Sequence, residues 1–198
     1  FHEIPLRFFH IFIIIGENTW EGGVQVQYVM LRETGAAAGE IVPYFTVLLP
    51  DGTPAFRIIG EKNPFTGKLA LVDCSGRERG RVLRVGTPLL SCHTVWQAGR
   101  KRAVITRNLA APRRPYRFYG VPWKTRGDCF SGSFDVVDAR GAVIMTHGRG
   151  WYCGRACVCV EARRREDVVC LLIAAVVDST PGAPSSFQAK LPGLAGPV

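Results

Sequence analysis

Glu166-Asp167-Val168-Val169-Cys170-Leu171-Leu172-Ile173-Ala174-Ala175-Val176-Val177-Asp178-Ser179 is the stretch whose reading decides the fold. Its apolar residues run unbroken from Val168 to Val177, without Gly or Pro. Two acids precede them, where a helix N-terminus favours negative charge. Fourteen helical residues measure about 21 Å and the apolar part about 15 Å. Crossing a bilayer takes about twice that. A helix apolar on every side yet too short for lipid belongs inside protein. Periodicity alone also admits a central strand over 167–177.

Upstream of this element the period is two. A strand, an Asp-and-Gly turn and a second strand occur three times. Residues 44–49 lead through Pro50-Asp51-Gly52-Thr53 into 55–59, residues 69–73 through Cys74-Ser75-Gly76 into 81–85, and residues 133–137 through Asp138-Ala139-Arg140-Gly141 into 142–146. Asp bonds backbone N–H groups and Gly supplies positive φ, so each unit reads as a hairpin. Further strands are expected at 24–31, 93–98, 103–106, 116–119 and 156–160, and the β-branched run 8–15 reads as another. About ten to twelve short strands in so little chain imply a barrel or sandwich that hides its edges. The 22 Gly and 13 Pro, spread along the chain, suit many tight turns.

The 198 residues fit one domain, expected over 1–179, with a flexible Pro/Gly-rich tail over 180–198. The chain opens without Met and without a signal-peptide pattern, which reads as an incomplete or trimmed N-terminus. A hydrophobic fraction of 47% argues against wholesale disorder. Seven cysteines at irregular spacing, one of them inside the apolar run, read as buried free thiols of a reducing compartment and hence a cytoplasmic protein. Cys153, Cys157 and Cys159 lack a CxxC partner and a nearby histidine, so no metal is assigned to them; Cys157 and Cys159, two apart in a strand, share one face.

In order and spacing, several of these segments are similar to the tubby C-terminal-like superfamily, most of all its LURP-one-related branch. The residues that carry the resemblance are Phe45-Thr46-Val47, Asp51-Gly52, Phe56-Arg57-Ile58 and Leu71-Val72-Asp73-Cys74-Ser75-Gly76. His93-Thr94-Val95-Trp96-Gln97 follows, then Cys157-Val158-Cys159-Val160 ahead of residues 168–178. The match is clearest over 43–178. It implies a mainly β fold, a tubby-like closed antiparallel β-barrel of about twelve strands enclosing the hydrophobic C-terminal helix. That family includes phosphoinositide-binding tubby proteins, and phospholipid scramblases are similar in predicted core. A scramblase would want an Asp-rich calcium loop beside the helix. Here Glu161-Ala162-Arg163-Arg164-Arg165-Glu166-Asp167 stands there, and three arginines repel a cation.

No catalytic residue, cofactor or metal site is assigned, because His2, His10, His93 and His147 share no motif with a nucleophile. The net charge of +9 favours an acidic partner. Between Arg100 and Arg126 there are nine Lys and Arg and no acid, interleaved with Tyr116, Phe118, Tyr119 and Trp123. Arg113, Arg114, Arg117, Lys124 and Arg126 are the candidate binding residues for an anionic headgroup, the first two stiffened between Pro112 and Pro115. Cations beside aromatics suit an acidic phospholipid surface or an acidic protein partner. They also suit single-stranded nucleic acid, and alternating aromatics can simply face the core. The sequence therefore predicts a non-enzymatic, monomeric binding domain, cytoplasmic and peripheral at a membrane, with a nucleic-acid-binding module in the nucleus as the alternative.

Overall fold

The computed structural model describes residues 25–33, 41–61, 66–87, 89–111 and 115–179. The expected strand at 8–15 and the tail from 180 lie outside these. Among the described residues there are twelve strands, as follows: β1 (Gln25–Arg32), β2 (Ile41–Leu48), β3 (Pro54–Glu61), β4 (Thr66–Asp73), β5 (Glu78–Gly86) and β6 (Leu90–Gln97). They continue with β7 (Arg100–Asn108), β8 (Tyr116–Tyr119), β9 (Lys124–Asp128), β10 (Ser133–Val137), β11 (Val143–Tyr152) and β12 (Arg155–Arg163), before the helix α1 (Asp167–Asp178).

The Asp-and-Gly turns form as their chemistry requires. Asp51 Oδ1 accepts the Thr53 N–H at 2.9 Å, Asp73 Oδ1 those of Ser75 and Arg77 at 3.0 Å, and Asp138 Oδ1 those of Arg140 and Ala142 at 2.9 and 3.0 Å. Gly52, Gly76 and Gly141 take φ of 88°, 80° and 85°, which other residues adopt only under strain.

Except for β8 and β9, strands consecutive in the chain are neighbours in the sheet, every pair antiparallel, and β12 returns to pair with β1 from Gln25↔Arg163 to Leu31↔Cys157. Among the described residues the order β8-β7-β6-β5-β4-β3-β2-β1-β12-β11-β10-β9 is thus an up-and-down barrel closed everywhere except between its edge strands β8 and β9. Inward side chains such as Met30, Val47, Ile58, Leu71, Val95, Ile105 and Val160 line it at 1% exposure or less.

Helix α1 fills the barrel, and the alternative of a central strand over 167–177 is excluded. Every residue from Val168 to Asp178 is buried. At Gly80 of β5 the wall and the helix pack tightly. A Cβ there would lie 2.9 Å from the Trp96 carbonyl oxygen and Val168 Cγ1, and 3.1 Å from Leu172 Cδ1.

Both helix ends are tied to the wall. At the start, Arg102 Nη2 pairs with Glu166 Oε2 at 3.0 Å and the Tyr28 hydroxyl donates to Asp167 Oδ2 at 3.0 Å. At the finish, His147 donates from Nδ1 to the Gly132 carbonyl at 2.7 Å, and its Nε2 meets Asp178 Oδ2 at 2.7 Å. The Phe134 ring stacks on that imidazole, centroids 4.6 Å apart. Arg149 Nη2 approaches Asp178 Oδ1 at 3.8 Å. Among the described residues no helix is long and apolar enough to cross a membrane.

Candidate functional site: the basic and aromatic seam

Alternation decides where the basic stretch points. In β7 Ala103, Ile105 and Arg107 face inward, and the Arg107↔Tyr116 and Ile105↔Phe118 pairs carry that parity into β8. Tyr116 is therefore buried and Phe118 half-buried, while Arg117 and Tyr119 stand on the outer face. In β9 Thr125 pairs with inward-facing Val136, which turns Lys124 and Arg126 outward. Two of the four interleaved aromatics are thus core residues, and Tyr119 is 51% exposed. Trp123, half-buried, meets the Phe118 ring edge-on at 6.4 Å.

The five candidate cations do not share one fate. Arg113 and Arg114 lie outside the described residues. Arg117 and Lys124 are exposed and flank a groove of about 510 Å³ between β8 and β9, lined also by Tyr116, Phe118, Tyr119, Trp123 and Thr125. Arg126 is drawn away: its Nη2 and Nε reach Asp135 Oδ2 at 2.8 and 3.2 Å. Asp135 in turn accepts the Thr146 hydroxyl at 2.9 Å.

The wider basic run divides too, because Arg102 pairs with Glu166 and Arg107 is 1% exposed inside the barrel. The local charge is nevertheless one-sided: no acid occurs between Glu78 and Asp128. At the groove floor, burial pushes the Tyr116 phenol up to about 12 against the pull of Arg107. Tyr116 therefore stays neutral at ordinary pH and offers a hydroxyl rather than a charge.

The barrel interior holds two arrangements with a catalytic outline, and neither is built to react. Ser91 Oγ lies 2.9 Å from His93 Nε2, both residues buried. Burial first, then Arg107 and Arg84, hold that imidazole down to about 3. A base so weak cannot take a hydroxyl proton near neutral pH. The groups around the ring are arginines, where a triad needs a carboxylate to orient it. His147 and Asp178 form a real pair, but Cys159 projects from the opposite face of the sheet, in register with Gly148 rather than His147. Sequence reasoning missed both pairs; the period-two parity of Ser91 with His93 was the available signal for the first.

The cysteines partly depart from expectation. Cys129, Cys157, Cys159 and Cys170 are buried, whereas Cys74, Cys92 and Cys153 are exposed at turns and on the outer face. Cys157 and Cys159 do share a face, their sulfurs 3.9 Å apart. Among the described residues no group of three or more His, Cys, Asp or Glu is placed to hold a metal.

No family model matches the sequence, and no curated protein does. Among solved structures the chain is similar to the X-ray structure of an Arabidopsis thaliana protein, AT5G01750. The TM-score is 0.50 and the identity 12%, over 79% of this chain and 92% of that one. Identity that low speaks for the fold alone, and the fold is a known one.

Proposed function

We propose that this chain is a LURP-one-related domain of the tubby C-terminal-like superfamily that works by binding and not by catalysis. Its ligand is the phosphate of an acidic phospholipid headgroup, taken at the β8–β9 seam by Arg117 and Lys124. The observation that carries the reading is the pairing pattern. Arg102 and Arg126 are held by acids and Arg107 is inside, yet Arg117 and Lys124 face solvent across a groove with aromatic walls. Cations with aromatic neighbours suit a headgroup layer, where the charge meets phosphate and the ring settles at the interface. The likeness in fold to the Arabidopsis structure and the ordered motifs from Phe45 to Val160 support the family.

One cation near an anionic bilayer contributes about 1 kcal/mol, so two contribute roughly thirtyfold in affinity. Arg117→Gln with Lys124→Gln should weaken sedimentation with phosphoinositide liposomes by that factor, at an unchanged melting temperature. Arg126→Gln should matter much less, because Asp135 already neutralises that charge. Equal liposome binding by the double variant and the wild type removes the proposal. An oligonucleotide shift run beside it tests the nucleic-acid alternative, which takes over if only that binding falls.

A further inference from the structure

More than half of the large apolar side chains that the barrel leaves exposed are gathered in one place. Of the seven among the described residues, four lie within eight positions of one hairpin: Leu83 at 41%, Val85 at 65%, Leu89 at 66% and Leu90 at 60%. Leu83 and Val85 face outward from β5; Leu89 ends the β5–β6 connection and Leu90 opens β6. Two hydrogen bonds tie Thr87 to Leu90. The Thr87 N–H donates to the Leu90 carbonyl at 2.8 Å, and the Leu90 N–H returns to the Thr87 hydroxyl at 3.1 Å. A clustered apolar surface of this kind marks a contact site, since solvent-facing strand positions otherwise take polar residues.

The ladders join this patch to the seam. Val85 stands beside Cys92, Cys92 beside Thr106, and Thr106 beside Arg117. One row along, Leu83 is followed by Thr94, Val104 and Tyr119. Three strand steps of about 4.8 Å along the curved wall separate the apolar hairpin from the basic edge, so the two are adjoining parts of one side of the barrel. The Leu109 N–H also bonds the Leu89 carbonyl at 3.0 Å, which fixes the chain leaving β7 against the hairpin end.

We propose that the end of the β5–β6 hairpin, Leu89 and Leu90 with Val85 behind them, enters the acyl boundary of an anionic bilayer. Arg117 and Lys124 meanwhile meet its phosphates. This rests on the headgroup reading of the seam and adds to it an orientation and an apolar contribution. A bilayer suits the site better than a protein because the apolar pair sits at a turn and not in a concave pocket. The stretch from Glu78 to Asp128, which holds the hairpin and the seam, carries many cations and no acid between those two residues. Amphipathic surfaces that lie in the interface combine these features.

The test compares wild type, Leu89→Gln with Leu90→Gln, and Arg117→Gln with Lys124→Gln. Each is assayed on phosphatidylserine-containing and phosphatidylcholine-only vesicles, and on monolayers whose surface pressure is recorded. The leucines are more than half exposed, so their variant should melt with the wild type. Charge is screened at about 0.5 M salt, where the Debye length is roughly 4 Å. There the leucine variant should bind anionic vesicles at least tenfold less than wild type and should no longer raise monolayer pressure. A leucine variant that binds and penetrates like the wild type overturns the insertion while leaving the headgroup reading intact. A charge variant that binds normally beside a leucine variant that fails overturns the headgroup reading and supports the insertion. Wild type that ignores both vesicles overturns the insertion and leaves the apolar face to a protein partner.

Discussion

Leu172 is the side chain on which the enclosed helix is best tested. It is fully buried, and its Cδ1 would be the third-nearest atom to a Cβ built on Gly80 of the facing strand. Leu172→Ala removes three carbons, about 2.4 kcal/mol at roughly 0.8 kcal/mol per buried methylene. A cavity adds to this where the surroundings cannot collapse, and strands held by ladders on both sides move little. The total should be about 3–4 kcal/mol, within the range measured for buried leucines. With a urea slope of about 2 kcal/mol per molar, the midpoint should fall by roughly 1.5–2 M with the slope unchanged. The melting temperature should drop by roughly 6–16 °C. Leu83→Ala, on the outer face, is the control and should stay within about 0.5 kcal/mol. Leu172→Asp should abolish soluble expression, because it buries an unpaired carboxylate. A Leu172→Ala loss below about 1 kcal/mol would refute the packing of helix against barrel.

Two further outcomes follow from buried groups. The folded His93 ring titrates near 3 against about 6.5 unfolded, so below 6.5 the unfolded chain binds the extra proton and stability falls as pH drops towards 3, by up to about 1.4 kcal/mol per pH unit. Urea midpoints of wild type and His93→Gln between pH 6.5 and 4 should diverge, the variant showing the shallower slope; parallel curves would contradict the burial of His93. Native protein should present three fast thiols, Cys74, Cys92 and Cys153, to a thiol reagent and four more on unfolding, with Cys170 among the slowest because burial pushes its thiol up. Rapid labelling of Cys170 in the folded state would mean that the helix leaves the barrel.

What could be read from the sequence was local. The helix declared itself by an arithmetic of length, since ten apolar residues are too many for a wetted surface and too few for a bilayer. The three hairpins declared themselves because Asp and Gly have specific turn chemistry. Strand β9 was missed: Lys124-Thr125-Arg126-Gly127-Asp128 has no apolar alternation, and it becomes a strand only because β10 offers a ladder from Ser133↔Asp128 to Val137↔Lys124. The Arg126–Asp135 pair depends on that ladder and was hidden with it. Arg107 was grouped with the surface cations although its parity with Ala103 and Ile105 pointed inward. Asp178 and His147 lie 31 residues apart, and nothing short of the assembled barrel brings them together.

The seam was the least legible feature, because which ladder fails to form depends on all those that do. Its causes can still be traced to residues. Tyr116–Tyr119 and Lys124–Asp128 are short strands, with four and five residues. Pro115 and Pro122 flank β8, and each lacks an N–H to donate. Gly120, at φ 82°, turns the chain out of β8 directly before β9. Two open edges so placed invite pairing with another chain, and short charged strands are the usual protection. Arg117 and Lys124 therefore have a reason to be present before any ligand is considered. Protection alone asks only for charge, of either sign, on the two edges. It does not ask for a run free of acid from Glu78 to Asp128, for an exposed Tyr119 beside the cations, or for Leu83, Val85, Leu89 and Leu90 turned to solvent on the same outer face. Those features lie beyond the needs of a sheet edge, and they are the ones a headgroup layer with its acyl boundary would use.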